Sequence, residues 1–236
     1  METTTSSNLG PVLLAFDTSS PTVTVAVHDG ADVVAQLVST ETMRHGEQLT
    51  PLVDQALRQT AITVRDLTAI AVGVGPGPFT GLRVGLVSAR TMAYALQIPV
   101  YGVCSLDVLA VEAIEADTVS GPFVVATDAR RREVYLATYD EAGLRVTGPD
   151  VQRPAEVAES LGGLPVVGEG AALYPDAFPD GRQPLRPDAG WLARCVVGER
   201  AELRDPEPLY LRRPDAEIPR APTLRDVSSL GSSGTV

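Results

Sequence analysis

The first forty residues contain three short apolar segments with the pattern of β-strands. Residues 12–17 form a continuous apolar run that ends in Asp17, and residues 22–28 place valines on one face by alternation. A third segment spans residues 32–38 and follows Asp29-Gly30, a dipeptide that favours a hairpin turn. The pattern therefore predicts three consecutive strands.

A helical period follows these strands. Between residues 45 and 60 the apolar side chains share one stripe, which consists of Leu49, Leu52, Val53, Ala56 and Leu57. Further along, the pattern predicts a strand at 69–74, a long helix at 81–97 and a strand at 98–102, which gives the order βββαβαβ.

Glycine and proline are concentrated at residues 72–90, between the strand and the long helix. Thr80 is placed to cap the helix, and small residues recur every four positions along it, at Gly81, Gly85, Ala89 and Ala93. One interpretation is an anion cradle at the helix N-terminus, and the other is close packing against this row. A P-loop is excluded because there is no GxxxxGK[ST] motif.

The apolar run that ends in aspartate occurs twice. Residues 123–128 resemble residues 12–17 at an offset of 111, and the same offset relates Val23 to Val134, Val25 to Leu136 and Asp29 to Asp140. This repetition predicts an α/β fold with two related lobes, each led by a βββ unit. We predict a disordered N-terminus at 1–10, lobes at 11–103 and 104–213, and a disordered tail at 214–236.

Composition limits the possible partners. The net charge of −11 argues against a chain that holds nucleic acid by itself, so an RNA substrate would be held mainly by a partner. No apolar run is long enough to span a bilayer, which predicts a cytoplasmic protein with no membrane partner. Cys104 and Cys195 are predicted to be buried thiols.

Several motifs resemble the TsaB (YeaZ) family. They are LAFDTS at 14–19, HGEQLTPL at 45–52, GPGPFTGLRVG at 75–85, TDARRREVY at 127–135 and PLYLR at 208–212. Members usually have serine where this chain has Pro78. The resemblance implies the two-lobed actin/Hsp70/sugar-kinase (ASKHA) fold with RNase H-like lobes, and a role in forming N6-threonylcarbamoyladenosine at position 37 of tRNAs that read ANN codons.

The same resemblance implies partners. TsaB is a non-catalytic paralogue of TsaD, which holds the metal and transfers the threonylcarbamoyl group from threonylcarbamoyl-AMP, with the ATPase TsaE as a third subunit. ATP and a metal are therefore expected on the partner subunits, and no cofactor is expected on this chain. tRNA is expected to bind only through the complex.

The residues themselves offer little catalytic chemistry. TsaD-like paralogues carry two histidines in a metal motif where this chain has Cys104, Ser105 and Asp107, and the whole chain has only His28 and His45. Cys104 and Asp107 alone cannot complete a three- or four-ligand metal site. We therefore predict no catalytic residue and no metal site.

A weak or vestigial nucleotide site is predicted at Asp17, Thr18 and Ser19, because aspartates at this place face phosphates in ATPases of the implied fold. Asp128 is predicted to bond within its own turn. His45 with Glu47 could perform acid–base chemistry, but a capping or interface role is favoured because no third group orients the imidazole.

The remaining candidate for a functional site is a surface on the first lobe. The resemblance favours a contact of the two helices with TsaD, or with a second copy of this chain through the same face; the alternative is that both stripes face the core. The predicted interface residues are His45, Leu49, Leu52, Val53, Ala56, Gly81, Arg83, Gly85, Ala89 and Ala93. The competing hypotheses are an independent metallopeptidase-like or ATPase/kinase enzyme, and a purely structural oligomer.

Overall fold

A computed structural model describes residues 11–39 and 41–211 of the chain, so the predicted disordered ends at 1–10 and 214–236 lie outside the described residues. The strands are β1 (Leu13–Asp17), β2 (Thr24–His28), β3 (Val33–Val38), β4 (Ala69–Gly73), β5 (Val100–Val103), β6 (Phe123–Asp128), β7 (Val134–Tyr139), β8 (Arg145–Gln152), β9 (Val166–Val167), β10 (Gly181–Arg182) and β11 (Leu203–Arg204). The helices are α1 (His45–Thr60), α2 (Phe79–Leu96), α3 (Ser105–Glu115), α4 (Pro154–Val157), α5 (Glu169–Leu173) and α6 (Ala189–Val197).

Two mixed sheets organise these elements. The first has the order β11-β5-β4-β1-β2-β3, and the second has the order β10-β9-β6-β7-β8. In each sheet the leading strand pairs antiparallel with the next strand and parallel with a later one. The predicted two-lobed α/β fold, with a βββ unit at the head of each lobe, is confirmed.

Helices cover the sheets in layers. α1 and α2 pack on one face of the first sheet, and α6 packs on its other face. α3 lies between α6 and the second sheet, whose outer face is covered by α5. Because α6 and β11 return to the first sheet, the last quarter of the described chain holds the two lobes together.

Strand pairing refines the predicted repeat. In the first sheet Asp17 pairs with Thr24, and in the second sheet Thr127 pairs with Tyr135. These pairings fix only the sum of the two strand offsets, which is 221 and not twice 111, so the predicted offset of 111 holds for one strand of the hairpin and the other strand is shifted by one residue.

The start of α2 differs from the prediction. The N-cap position of α2 is Pro78, with Thr80 already inside the helix, and the N-cap position of α3 is Cys104. Both helices follow loops at the carboxyl ends of buried strands, where the side chains are used for contacts between elements. Among the described residues, no helix has the length and apolar character that a membrane span requires.

Candidate functional site

Asp17 is the last residue of β1 and is 1% exposed; Ser19 and Ser105, its hydrogen-bond partners, line a cleft between the two sheets. Its Oδ1 accepts a hydrogen bond from the backbone N–H of Ser19, and its Oδ2 accepts one from the Ser105 hydroxyl, each at 2.6 Å. Glycine is required at Gly73 because a Cβ there would lie 1.8 Å from the Asp17 carboxylate. Asp17 is therefore a buried bridge between β1, β4 and the start of α3.

The two other residues predicted to contact a nucleotide are also buried. The Thr18 hydroxyl donates a hydrogen bond to the Gly81 carbonyl at 2.8 Å, and the backbone of Ser19 lies against Gly77. The free volume at the centre of the cleft is about 10 Å³, which is roughly the space that one water molecule needs. The nucleotide site therefore stays a prediction.

Asp128 is at the corresponding end of β6 and makes the turn that was predicted for it. Its Oδ1 accepts a hydrogen bond from the backbone N–H of Arg130 at 2.8 Å, and its Oδ2 lies 3.2 Å from the Arg130 guanidinium. The side chain thus stabilises the β6–β7 turn through its own backbone, as an Asx turn does.

His45 is the first residue of α1 and is buried. Its Nε2 lies 2.7 Å from the Ser20 carbonyl, which only accepts, so Nε2 carries the proton. A Cβ at Gly81 would lie 3.4 Å from the imidazole. The imidazole therefore joins α1 to the β1–β2 turn and to α2, which agrees with a structural role and not with acid–base chemistry.

The row of small residues on α2 packs inside the first lobe. A Cβ at Gly81 would lie 2.4 Å from the Thr18 carbonyl, and a Cβ at Gly85 would lie 2.4 Å from the Thr18 hydroxyl. Ala89 and Ala93 are buried in the same core. The row therefore lets α2 approach the β1–β2 turn and its own sheet, so the expectation that this row lies on an outer surface is wrong.

Most of the predicted interface residues share this burial. The buried ones are His45, Leu49, Val53, Ala56, Gly81, Gly85, Ala89 and Ala93; Leu52 is half-buried, and Arg83 is exposed. The apolar stripe of α1 faces the first sheet because the sheet offers a large apolar surface beside it. A direct contact of the eight buried residues with a second chain is excluded while the lobe keeps this packing.

The exposed side of α2 has a different character. Side chains two positions after the small row point about 200° away from it, and they include Arg83 and Val87. Tyr94 lies seven positions after Val87, about two helical turns, and therefore on the same side. Val87 is 62% exposed and Tyr94 is 81% exposed. Exposed apolar side chains on one helix face are typical of an interaction surface.

An aromatic pair lies at the first turn of α2. The rings of Phe79 and Tyr210 are 5.1 Å apart, and the Arg83 guanidinium lies 4.5 Å from the Phe79 ring. Arg90 forms an ion pair with Glu207 at 2.8 Å. The segment around Pro208–Tyr210 thus lies along α2, and the two elements form one exposed strip, called here the α2 outer face: Phe79, Arg83, Val87, Arg90, Tyr94 and Tyr210.

Sequence reasoning missed Phe79, Val87, Tyr94 and Tyr210 as candidates, although a signal was available. The small row already fixed which side of the helix could approach another element closely. Large apolar residues on the opposite side, at Val87 and Tyr94, could have identified the outer face.

Metal-type donors near α3 are used for packing. The Asp107 carboxylate accepts a hydrogen bond from the Tyr139 hydroxyl at 2.8 Å and lies 3.4 Å from the Arg145 guanidinium. Burial raises the pKa of Asp107, although Arg145 and Tyr139 oppose the shift. Burial also raises the pKa of the Cys104 thiol to about 12, so the thiol stays protonated and is not a nucleophile at neutral pH. Within residues 11–39 and 41–211, no group of three or more His, Cys, Asp or Glu could hold a metal ion.

Comparison with known proteins identifies a matching family model and several sequence relatives. The family model for TsaD, tRNA N6-adenosine threonylcarbamoyltransferase, matches residues 33–174. An uncharacterized protein of Mycobacterium tuberculosis is 46% identical, over 87% of this chain and 93% of its own length. The tRNA threonylcarbamoyladenosine biosynthesis protein TsaB of Escherichia coli is 30% identical, over 85% of this chain and 94% of its own length.

The solved structures agree with these sequence relatives. YeaZ from Pseudomonas aeruginosa superimposes with a TM-score of 0.73 at 28% identity, and the match covers 86% of this chain and 100% of the YeaZ chain. Both lobes and both sheets described above therefore have a counterpart in that structure.

Proposed function

This chain belongs to the TsaB (YeaZ) family, and from that membership we propose that it acts in the biosynthesis of N6-threonylcarbamoyladenosine in tRNA. Its role is that of a non-catalytic subunit bound to TsaD, in a cytoplasmic complex that also uses TsaE. The complex transfers the threonylcarbamoyl group to adenosine 37 of tRNAs that read ANN codons. ATP and the metal belong to the partner subunits.

The α2 outer face is the observation that carries this proposal. Val87 and Tyr94 are the most exposed large apolar side chains of α2, and burying them against a partner removes apolar surface from water. The aromatic pair Phe79 and Tyr210 adds the residue types that are enriched at interface centres.

The interior of the chain supports a role without catalysis. The carboxylate of Asp17 is engaged by Ser19 and Ser105, and the Cys104 thiol is buried with a raised pKa. His45 bonds to a backbone carbonyl. These are the nucleophilic and acid–base groups that an independent peptidase or kinase would need, and each one holds the fold together instead.

The same outer face also serves a homodimer in this proposal. A two-fold contact between two copies of α2 is self-complementary, and it covers the surface that TsaD needs. The homodimer and the complex with TsaD therefore exclude each other, and the concentration of TsaD decides which one forms.

Reconstitution of threonylcarbamoyl transfer tests the proposal. Purified TsaD and TsaE are given threonylcarbamoyl-AMP, ATP and a tRNA transcript, with or without this chain, and the modified nucleoside is measured. We expect product only when the chain is present. Equal product without the chain, or turnover of either substrate by the chain alone, would overturn the assignment.

A further inference from the structure

The turn between β6 and β7 has an unusual backbone. Arg130, Arg131 and Arg132 are consecutive, and their φ angles are +63°, +56° and +61°. Residues with a Cβ rarely adopt this left-handed region, and a run of three is disfavoured at every step. Strain of this kind persists where the surrounding structure or a function requires the conformation.

The charge of this turn is opposite to that of the chain. All three arginine side chains are exposed, in a protein whose net charge is −11. Asp128 pairs with Arg130 at 3.2 Å, but among the described residues no acidic side chain forms an ion pair with Arg132. We call residues 130–132 the arginine tip.

The arginine tip lies beside the start of α1. The Arg130 guanidinium is 3.8 Å from the sulfur of Met43, which is itself exposed and stands two residues before the helix. Arg130 and Asp128 also line the cleft between the sheets. The tip therefore lies at the border of the first lobe, where α1 packs beside α2.

We propose that the arginine tip contacts backbone phosphates of the tRNA held by the complex. This inference rests on the proposed function, because the chain as a whole is acidic and the tRNA must be held mainly by the other subunits of the complex. Guanidinium groups bind phosphate through two parallel hydrogen bonds, and the sequence has arginine but no lysine. The left-handed turn projects adjacent arginines from one short hairpin end, so more than one phosphate is within reach of the same tip.

The experiment measures tRNA affinity of the assembled complex with TsaD between about 50 and 200 mM salt, the range over which phosphate contacts change affinity strongly. The variant is Arg131→Gln with Arg132→Gln, and the matched control is Arg58→Gln with Arg65→Gln. The control removes the same charge in and after the last turn of α1, a helix of 16 residues that is about 24 Å long.

We expect the tip variant to bind tRNA about tenfold more weakly at 0.1 M salt, with a log–log salt slope reduced by about 1 to 2. The control is expected to change affinity less than twofold. Unchanged tRNA affinity in the tip variant would overturn the inference. A variant complex that assembles poorly or binds ATP weakly, but whose assembled form binds tRNA normally, would also overturn it. A wild-type complex that neither binds nor modifies tRNA would instead overturn the proposed function.

A second variant separates the strain from the contact. Arg132→Gly relieves the left-handed conformation, so the melting temperature is expected to rise by about 2–4 °C, while tRNA binding weakens. Arg132→Gly with full tRNA affinity would contradict the phosphate contact.

Discussion

The two faces of α2 differ in the size and exposure of their side chains. The inner face carries Gly81, Gly85, Ala89 and Ala93, which are buried against the β1–β2 turn and the first sheet. The outer face carries Phe79, Val87 and Tyr94, which are exposed. The same helix thus packs closely within its own lobe on one side and offers large apolar groups on the other.

This contrast shows that small residues and large residues have separate tasks in this helix. A row of glycine and alanine permits a close approach, but the approach is made to Thr18 of the same chain. The apolar area that a partner can bury is on the opposite side. Substitutions on the inner face should therefore change stability, and substitutions on the outer face should change association.

The largest effect is expected for Gly85→Leu. Replacing an ordinary helix glycine with leucine would be expected to stabilise the helix by about 0.8 kcal/mol, but here the Cβ alone would lie 2.4 Å from the Thr18 hydroxyl. We expect destabilisation by about 3 kcal/mol or more, measured by urea unfolding of the isolated chain.

The control for this substitution is Ala95→Leu, which adds a side chain at an exposed position of the same helix. Its stability is expected to stay within about 0.5 kcal/mol of the wild type. If Gly85→Leu were as stable as Ala95→Leu and only lost its partner, the small row would be a partner surface after all.

The next effect is expected for Val87→Glu on the outer face. A carboxylate placed in a buried apolar contact loses its hydration without a partner charge, so binding to TsaD should weaken at least tenfold, or about 1.4 kcal/mol. The stability of the isolated chain should hardly change. Calorimetric titration gives the affinity, and thermal unfolding gives the stability.

Val146→Glu provides a matched comparison, since Val146 on β8 is 64% exposed, close to the 62% of Val87. The substitution makes the same chemical change on the second lobe, and it should leave the affinity for TsaD unchanged. Equal weakening by both variants would point to a charge effect of the whole chain instead of a local interface.

The last effect is confined to a pH range and is expected from Glu112, a half-buried residue of α3. Its Oε2 is buried without a hydrogen-bond partner among the described residues, and burial, with a contribution from Asp188, raises its pKa from 4.5 to about 7. Between these values the folded state retains a proton that the unfolded state releases, so stability falls as pH rises from 4.5 to about 7.

Glu112→Gln removes this loss. After allowance for partial exposure, the variant should be about 1–2 kcal/mol more stable than the wild type at pH 8 and nearly equal at pH 4. Association with TsaD at a fixed pH should not change, because Glu112 lies away from the α2 outer face. Unfolding curves across this pH range that remain parallel for both proteins would contradict the raised pKa.

The sequence was sufficient for much of the architecture. The helical stripe identified α1 and α2, because one face of each helix is buried in a regular period. Apolar runs and alternating valines identified the first strands, although β1 and β2 are buried on both faces. Repetition identified the second βββ unit. The motifs identified the family, and with it a proposed partner, without any coordinates.

The short elements of the second lobe were less predictable. β9, β10 and β11 have two residues each, and β11 exists because it pairs with β5 across about one hundred residues of sequence. Such strands have no period of their own. The register of the repeat was likewise set by pairing, which shifts one strand of the second hairpin by one residue from the predicted offset.

Sequence by itself therefore determined which residues are apolar, which are small and in what period they recur. Only the tertiary structure decided what those residues meet: Thr18 occupies the space beside Gly85, the Ser105 hydroxyl donates a hydrogen bond to Asp17, and Val87 and Tyr94 are left exposed. The physical reason is that a side-chain pattern specifies a face of a helix, whereas the neighbour of that face depends on contacts between residues far apart in the chain.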